Sequence, residues 1–203
     1  MGGWRPGPQR FSDFGWTPAS EGAGGGPGVA KRRRRGVRLP YARTPPMPTT
    51  LYTLGYQQRS INEFVEILSE SEIDVLVDVR ETAWSHKPGF SKSAFAAALA
   101  TRGIEYVHAD FAGNPKWLRS NADSHSECLE WYGRYLNDFG EIVSTFDDLV
   151  ADLHAAGKRV CITCFERHAD DCHRAILADR WKEKRGRQVR HLAIEGCSRL
   201  VTA

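Results

Sequence analysis

Between Cys164 and Arg174 the chain reads Cys-Phe-Glu-Arg-His-Ala-Asp-Asp-Cys-His-Arg. Two thiols, the Glu166 carboxylate, two imidazoles and two guanidinium groups fall within eleven residues. Thiols beside imidazoles supply nucleophiles and redox partners, and the same atoms are soft metal ligands. The segment directly follows the strand-like run Arg159-Val160-Cys161-Ile162-Thr163 and precedes an apolar-periodic stretch. Such strand-to-helix crossovers sit at the carboxyl edge of an open α/β sheet, where these folds bind ligands.

The candidate catalytic residues are therefore Cys164, Glu166, Cys172 and His173. Cys172, at a helix start beside His173 and Arg174, is expected to have a lowered thiol pKa. The competing reading makes one or both cysteines small buried packing residues. Cys161, three positions before Cys164 on an extended strand, points to the opposite face, so its Cys-x-x-Cys spacing does not argue for a redox pair. The cofactor is not specified by the sequence. The reading requires no metal; if one is held, its ligands are Cys164, Cys172 and His173, a set suited to zinc. Structural zinc sites pair two short ligand elements, and only one is present.

Arg59, Arg80 and Arg174 are the candidate anion cradle, because guanidinium forks match phosphate and carboxylate. Tyr56, Ser60 and Asp78 join them as candidate ligand-binding residues. Asp171 is expected to cap the following helix and to aim the amides of Cys172, His173 and Arg174 at the anion. The plainer alternative is that Arg80 pairs with Asp78 or Glu166 to hold loops. Tyr56, Trp84 and Trp117 are a candidate stacking wall for a base or ring.

The elements that must position these groups alternate in type. Leu51–Leu54, Asp74–Val79, Ile104–Val107, Arg159–Thr163 and Gln188–Ala193 read as strands. Helices are predicted from Ser60, where Glu63 completes a capping box, over Ser91–Thr101, Glu127–Asn137, Glu141–Ala156 and Cys172–Lys184. The stretch Phe111–Ser124 reads as an irregular loop. Strand–helix alternation predicts a three-layer α/β domain with a mostly parallel sheet of about five strands. The polar clusters then follow successive strand ends and share one edge: Tyr56–Ser60, Asp78–His86, His108–Asn114 and Cys164–Arg174. Among these, His86 and His108 read as ordinary loop histidines. No Walker A or Gly-x-Gly-x-x-Gly run is present.

The net charge of +3 is unevenly spread. Residues 1–48 carry nine Lys/Arg and two acidic groups, whereas residues 49–203 carry 19 basic and 23 acidic ones. The Gly/Pro/Arg-rich segment 1–48 is expected to be disordered, with residues 49–203 forming one α/β domain. The basic run Lys31–Arg35 is open to three readings: nucleic-acid or anionic-lipid binding, a solvated linker, or upstream sequence absent from the native protein. Met47, four residues before the first strand, favours the last. The acidic body gives no support to a nucleic-acid surface. Five cysteines and the lack of a secretory apolar segment point to a cytoplasmic location. With no apolar run near the ~18 residues that span a bilayer, no membrane partner is expected.

Leu54-Gly55-Tyr56 with Arg59-Ser60, Val77-Asp78-Val79-Arg80, Gly103-Ile104-Glu105-Tyr106, Gly113, and Cys164-Phe165-Glu166 with Cys172-His173-Arg174 together resemble the domain-of-unknown-function family 488. The resemblance spans about residues 51–180 and implies an α/β fold, without a substrate or reaction. Asp78-Val79-Arg80 is also similar to the Asp-x-Arg step of rhodanese-type domains. The nine residues between Cys164 and Arg174 exceed that family's compact cysteine loop, and its Gly-rich cradle is missing. The leading expectation is an enzyme acting on a phosphate- or carboxylate-bearing small molecule or nucleotide. The alternatives are a non-catalytic module that senses a nucleotide or anion, and a thiol enzyme for sulfur transfer or redox exchange.

Overall fold

The computed structural model describes residues 49–184 and 186–192. The expected leader, Met47 and Cys197 lie outside the described residues. In chain order the elements are β1 (Thr49–Gly55), α1 (Ile61–Glu70), β2 (Val75–Asp78), α2 (Lys92–Ala100), β3 (Glu105–His108), α3 (Lys116–Asn121), α4 (His125–Asp138), α5 (Gly140–Ala155), β4 (Val160–Cys164), α6 (His173–Lys182) and β5 (Arg187–His191). The strands form a single sheet in the order β3-β2-β4-β1-β5, and every pairing is parallel. The three-layer α/β expectation is met, with a wholly parallel sheet.

Alternation along the strands divides the core in two. Leu51, Val75, Val77, Val160, Ile162 and Cys164 face one side, where they pack against α4, α5 and α6. Tyr52, Leu54, Leu76 and Cys161 face the other, against Phe64 and Leu68 of α1 and Phe95 and Leu99 of α2. Both faces are covered, which is why the strands read as almost continuous apolar runs. The path β1-β2-β3 moves across the sheet through α1 and α2, and the return path to β4 and β5 runs through α3–α6 on the opposite face. One handedness of crossover requires that switch of face.

Helix α1 begins as the sequence predicts. Ser60 accepts from the Glu63 amide at 3.2 Å, and the Ser60 amide donates to Glu63 Oε2 at 2.6 Å. Two expectations are corrected. Phe111–Ser124 is not irregular throughout, for it holds a 3-10 turn at Asp110–Ala112 and helix α3. Six helical residues are too few to display an apolar stripe. The residue capping α6 is Cys172 rather than Asp171, with no side-chain capping bond.

Candidate active site at the carboxyl edge of the sheet

The strand ends stand in register. Gly55 pairs with Cys164, and Asp78 pairs with both Thr163 and His108. The ladder runs on past the strands, where the Tyr56 amide donates to Cys164 O at 3.2 Å and the Gln57 amide to Phe165 O at 2.7 Å. Neighbouring strands β1 and β4 then send their chains to opposite faces, α1 on one and α6 on the other. Divergence of that kind opens a crevice at the sheet edge. A cavity of about 710 Å³ lies there, lined by residues from the loops after β1, β2 and β4 and from the Asn114–Leu129 region.

Cys164 and His173 meet in this cavity. Cys164 Sγ lies 3.5 Å from His173 Nδ1, and His173 Nε2 lies 3.0 Å from Val79 O. A carbonyl only accepts, so Nε2 carries a proton, and Nδ1 is the nitrogen left facing the thiol. The imidazole stands edge-on against the Tyr132 ring, with centroids 5.1 Å apart. Tyr132 is fully buried and donates to Ala112 O at 2.7 Å, which fixes the wall behind the histidine. A thiol, an imidazole and the carbonyl that orients the imidazole thus stand together.

Cys172 Sγ completes a cluster in which its own, Cys164 Sγ and a His173 nitrogen all lie within 4.8 Å of one another. The lowered thiol pKa expected for Cys172 is corrected: burial pushes this thiol up, and hydrogen bonding and charge from Cys164 push it further. The side chain is 1% exposed within the apolar core and does not line the cavity. A helix start lowers a thiol pKa where water can reach the thiolate, and here it cannot. Cys161, as predicted, lies in the opposite core, where burial raises its pKa as well.

The arginines divide. Arg80 gives Nε and Nη2 to the two Asp78 oxygens at 2.8 and 2.6 Å, Nη1 to Tyr56 OH at 2.8 Å, and Nη2 also to Phe90 O at 2.9 Å. Asp78 is completely buried and accepts in addition from Tyr106 OH at 2.7 Å. This pair ties the β2 loop to β1 and β3. Arg174 is 1% exposed and donates to Glu166 O at 2.6 Å and Arg167 O at 3.2 Å. It holds the Cys164–Cys172 loop in shape from beneath. Arg59 is also buried, but its only side-chain hydrogen bond among the described residues runs from Nε to Gly55 O at 3.3 Å.

Of the ten residues singled out in the sequence, Tyr56, Arg80, Cys164, Glu166 and His173 line the cavity. Arg59, Ser60, Asp78, Cys172 and Arg174 do not. Ser60 is exposed and belongs to the α1 cap. Trp84 stands at the cavity, 59% exposed, whereas Trp117 packs edge-on against Tyr135 away from it, so the expected three-ring wall does not assemble. Phe165, 42% exposed, lines the cavity as well, beside Tyr56 and Trp84.

Sequence reasoning missed His125 and Cys128, which α4 contributes to the lining. Their i, i+3 spacing at a helix start was the available signal. Asn114 Nδ2 donates to Cys128 Sγ at 3.2 Å, while Asn114 Oδ1 and Glu166 Oε2 are buried without a partner among the described residues. Two acceptors without donors in a cavity favour a ligand that brings N–H or O–H groups.

Taken together, fold and site define a doubly wound α/β protein with a thiol–imidazole pair at its switch point. Residues 60–181 match the family model described as "Domain of unknown function DUF488", more than half of the chain, and the chain belongs to that family. No curated protein and no solved structure matches it. Among the described residues, no helix is long and apolar enough to cross a membrane.

Proposed function

We propose that the protein is a thiol-dependent enzyme in which Cys164 is the nucleophile and His173 its base, acting on a small molecule held in the 710 Å³ cavity. One arrangement supports this reading: Cys164 Sγ faces His173 Nδ1 while Val79 O fixes the other ring nitrogen. A nucleophile within reach of a base that is itself oriented is the general signature of covalent catalysis. As Sγ bonds to the electrophilic atom of the substrate, its proton moves to Nδ1, and the departing group takes that proton back. Glu166 Oε2 and Asn114 Oδ1 accept from N–H groups of the substrate, and Trp84 and Phe165 flank its planar part. A cavity of this size suits a small ligand.

Limited alkylation with iodoacetamide at pH 7, followed by peptide mapping, tests the assignment. Cys164 is expected to label well before Cys161 and Cys172, and His173→Gln should slow Cys164 labelling. Equal rates at Cys164 and Cys161 would end the proposal.

A second reading has its own observation. Cys164, Cys172 and His173 present three soft ligand atoms within 4.8 Å of one another, and His173 has its far nitrogen on a carbonyl, as metal-bound histidines do. The donor set fits zinc with one open position, which would supply a Lewis acid when bound. Metal analysis of protein purified without chelator, compared with Cys172→Ser, separates the two. Stoichiometric zinc lost in the variant supports the metal centre. Unchanged Cys164 reactivity and no metal supports the free thiol.

A further inference from the structure

Outside the cavity, four cations crowd one short turn. The segment Gly55–Ser60 joins β1 to α1, and Gln58 within it adopts φ 60°. Arg59 Nε donates to Gly55 O at 3.3 Å, Lys87 Nζ to Tyr56 O at 2.9 Å, and Arg167 Nη1 to Gln58 Oε1 at 3.1 Å. Arg174 lies behind them, holding Glu166 O and Arg167 O. Every acceptor in this set is neutral. Among the described residues, none of the four cations lies within ion-pair distance of a carboxylate. Glu63 is the nearby acid, and its Oε2 already accepts from the Ser60 amide and hydroxyl.

Buried charges are normally paired, because desolvation is costly. Arg59 is 9% exposed yet has other cations for neighbours. Burial, then repulsion from Arg167, lowers its pKa, and burial together with Arg59 does the same to Lys87 despite Glu63. Each side chain keeps donors in reserve: Arg59 and Arg167 use one of five N–H groups through their side chains, and Lys87 one of three. The positive end of α1 opens on the same turn. Four cations against one nearby carboxylate leave an excess of positive charge that a dianion would balance. Because residues 49–203 are acidic in sum, this excess is local, which fits a compact anion rather than a polyanion.

We propose that the Gly55–Ser60 turn carries a phosphoryl-binding site, formed by Arg59, Lys87 and Arg167 and braced by Arg174, none of which lines the thiol cavity. Arg59 supplies the desolvated anchor. Arg167 and Lys87, both half-buried, close over the anion from the loops after β4 and β2. The chemistry recognised is a phosphate dianion, either free or as a monoester on a small molecule.

Isothermal titration of the full chain with inorganic phosphate and with ribose 5-phosphate, at constant ionic strength set with chloride, tests this. Wild type is expected to bind. Arg167→Ala and Lys87→Ala should each weaken binding about tenfold or more while retaining the native circular dichroism spectrum. Cys164→Ser should bind as wild type does, so failure of the thiol reading would not be mistaken for failure here. Tighter binding of the sugar phosphate identifies a monoester ligand, and equal affinity identifies free phosphate; both uphold the site. No phosphate binding, or unchanged affinity in both variants, overturns it.

Discussion

Asp78 and Arg80 show what one buried pair does here. Completely enclosed, Asp78 accepts from the Arg80 amide, Nε and Nη2 and from Tyr106 OH. Breaking a buried pair from one side leaves an uncompensated charge, at a cost of about 3–5 kcal/mol. Arg80→Ala should therefore lower the unfolding free energy by about 3 kcal/mol, read from urea denaturation. Arg119→Ala, whose ion pair with Glu81 is half exposed, should cost under about 1 kcal/mol. The contrast between these two arginines, both on the cavity wall, separates scaffold from surface.

Between elements, the decisive contacts are backbone approaches. A Cβ on Gly55 would stand 1.7 Å from Glu166 O, inside the turn that carries Cys164 into α6. Gly55→Ala should displace that loop, lowering the melting temperature and slowing Cys164 alkylation together. Gly113 has the same relation to the β2 loop, its virtual Cβ lying 2.2 Å from the Glu81 amide. At the other end of the domain, Asp147 of α5 pairs with Lys184 and with Arg187 of β5, the latter at 2.5 Å. Burial alone would raise the Asp147 pKa, but the hydrogen bonds and charges of these partners outweigh it and hold the carboxyl below its usual range. The stability this confers is complete above the unfolded value near 3.9 and is lost as pH falls through the lower folded value. Denaturation midpoints between pH 5 and 2 should drop less steeply in Asp147→Asn than in wild type.

Across the whole molecule, the sheet partitions the cysteines. Cys164 and Cys172 belong to the core under α4–α6, and Cys161 to the core under α1 and α2. With no exposed surface and a thiol pushed up by burial, Cys161 should be modified only when the domain opens globally. Its labelling rate should follow the unfolding rate as urea is added, while Cys164 labelling should not. Parallel rates at both positions would contradict the two-faced arrangement.

Local order and the shared edge were legible in the chain. The capping box at Ser60, the alternation of strands and helices, and the opposite facing of Cys161 and Cys164 all follow from periodicity and short-range hydrogen bonding. Parallel pairing then commits every strand end to one rim, which brought Tyr56, Arg80, Cys164, Glu166 and His173 together. The roles within that rim belong to tertiary structure. Proximity to a helix start suggested a reactive Cys172, but burial against α4 decides otherwise, and Cys164 faces His173 because the β4 loop and α6 fold back on each other. Whether a guanidinium binds a ligand or braces a loop depends on which oxygens surround it. Arg80 meets the Asp78 carboxylate, the pairing the sequence offered as the plainer alternative, together with Tyr56 OH and Phe90 O; Arg174 meets Glu166 O and Arg167 O, main-chain atoms that no side-chain pattern encodes.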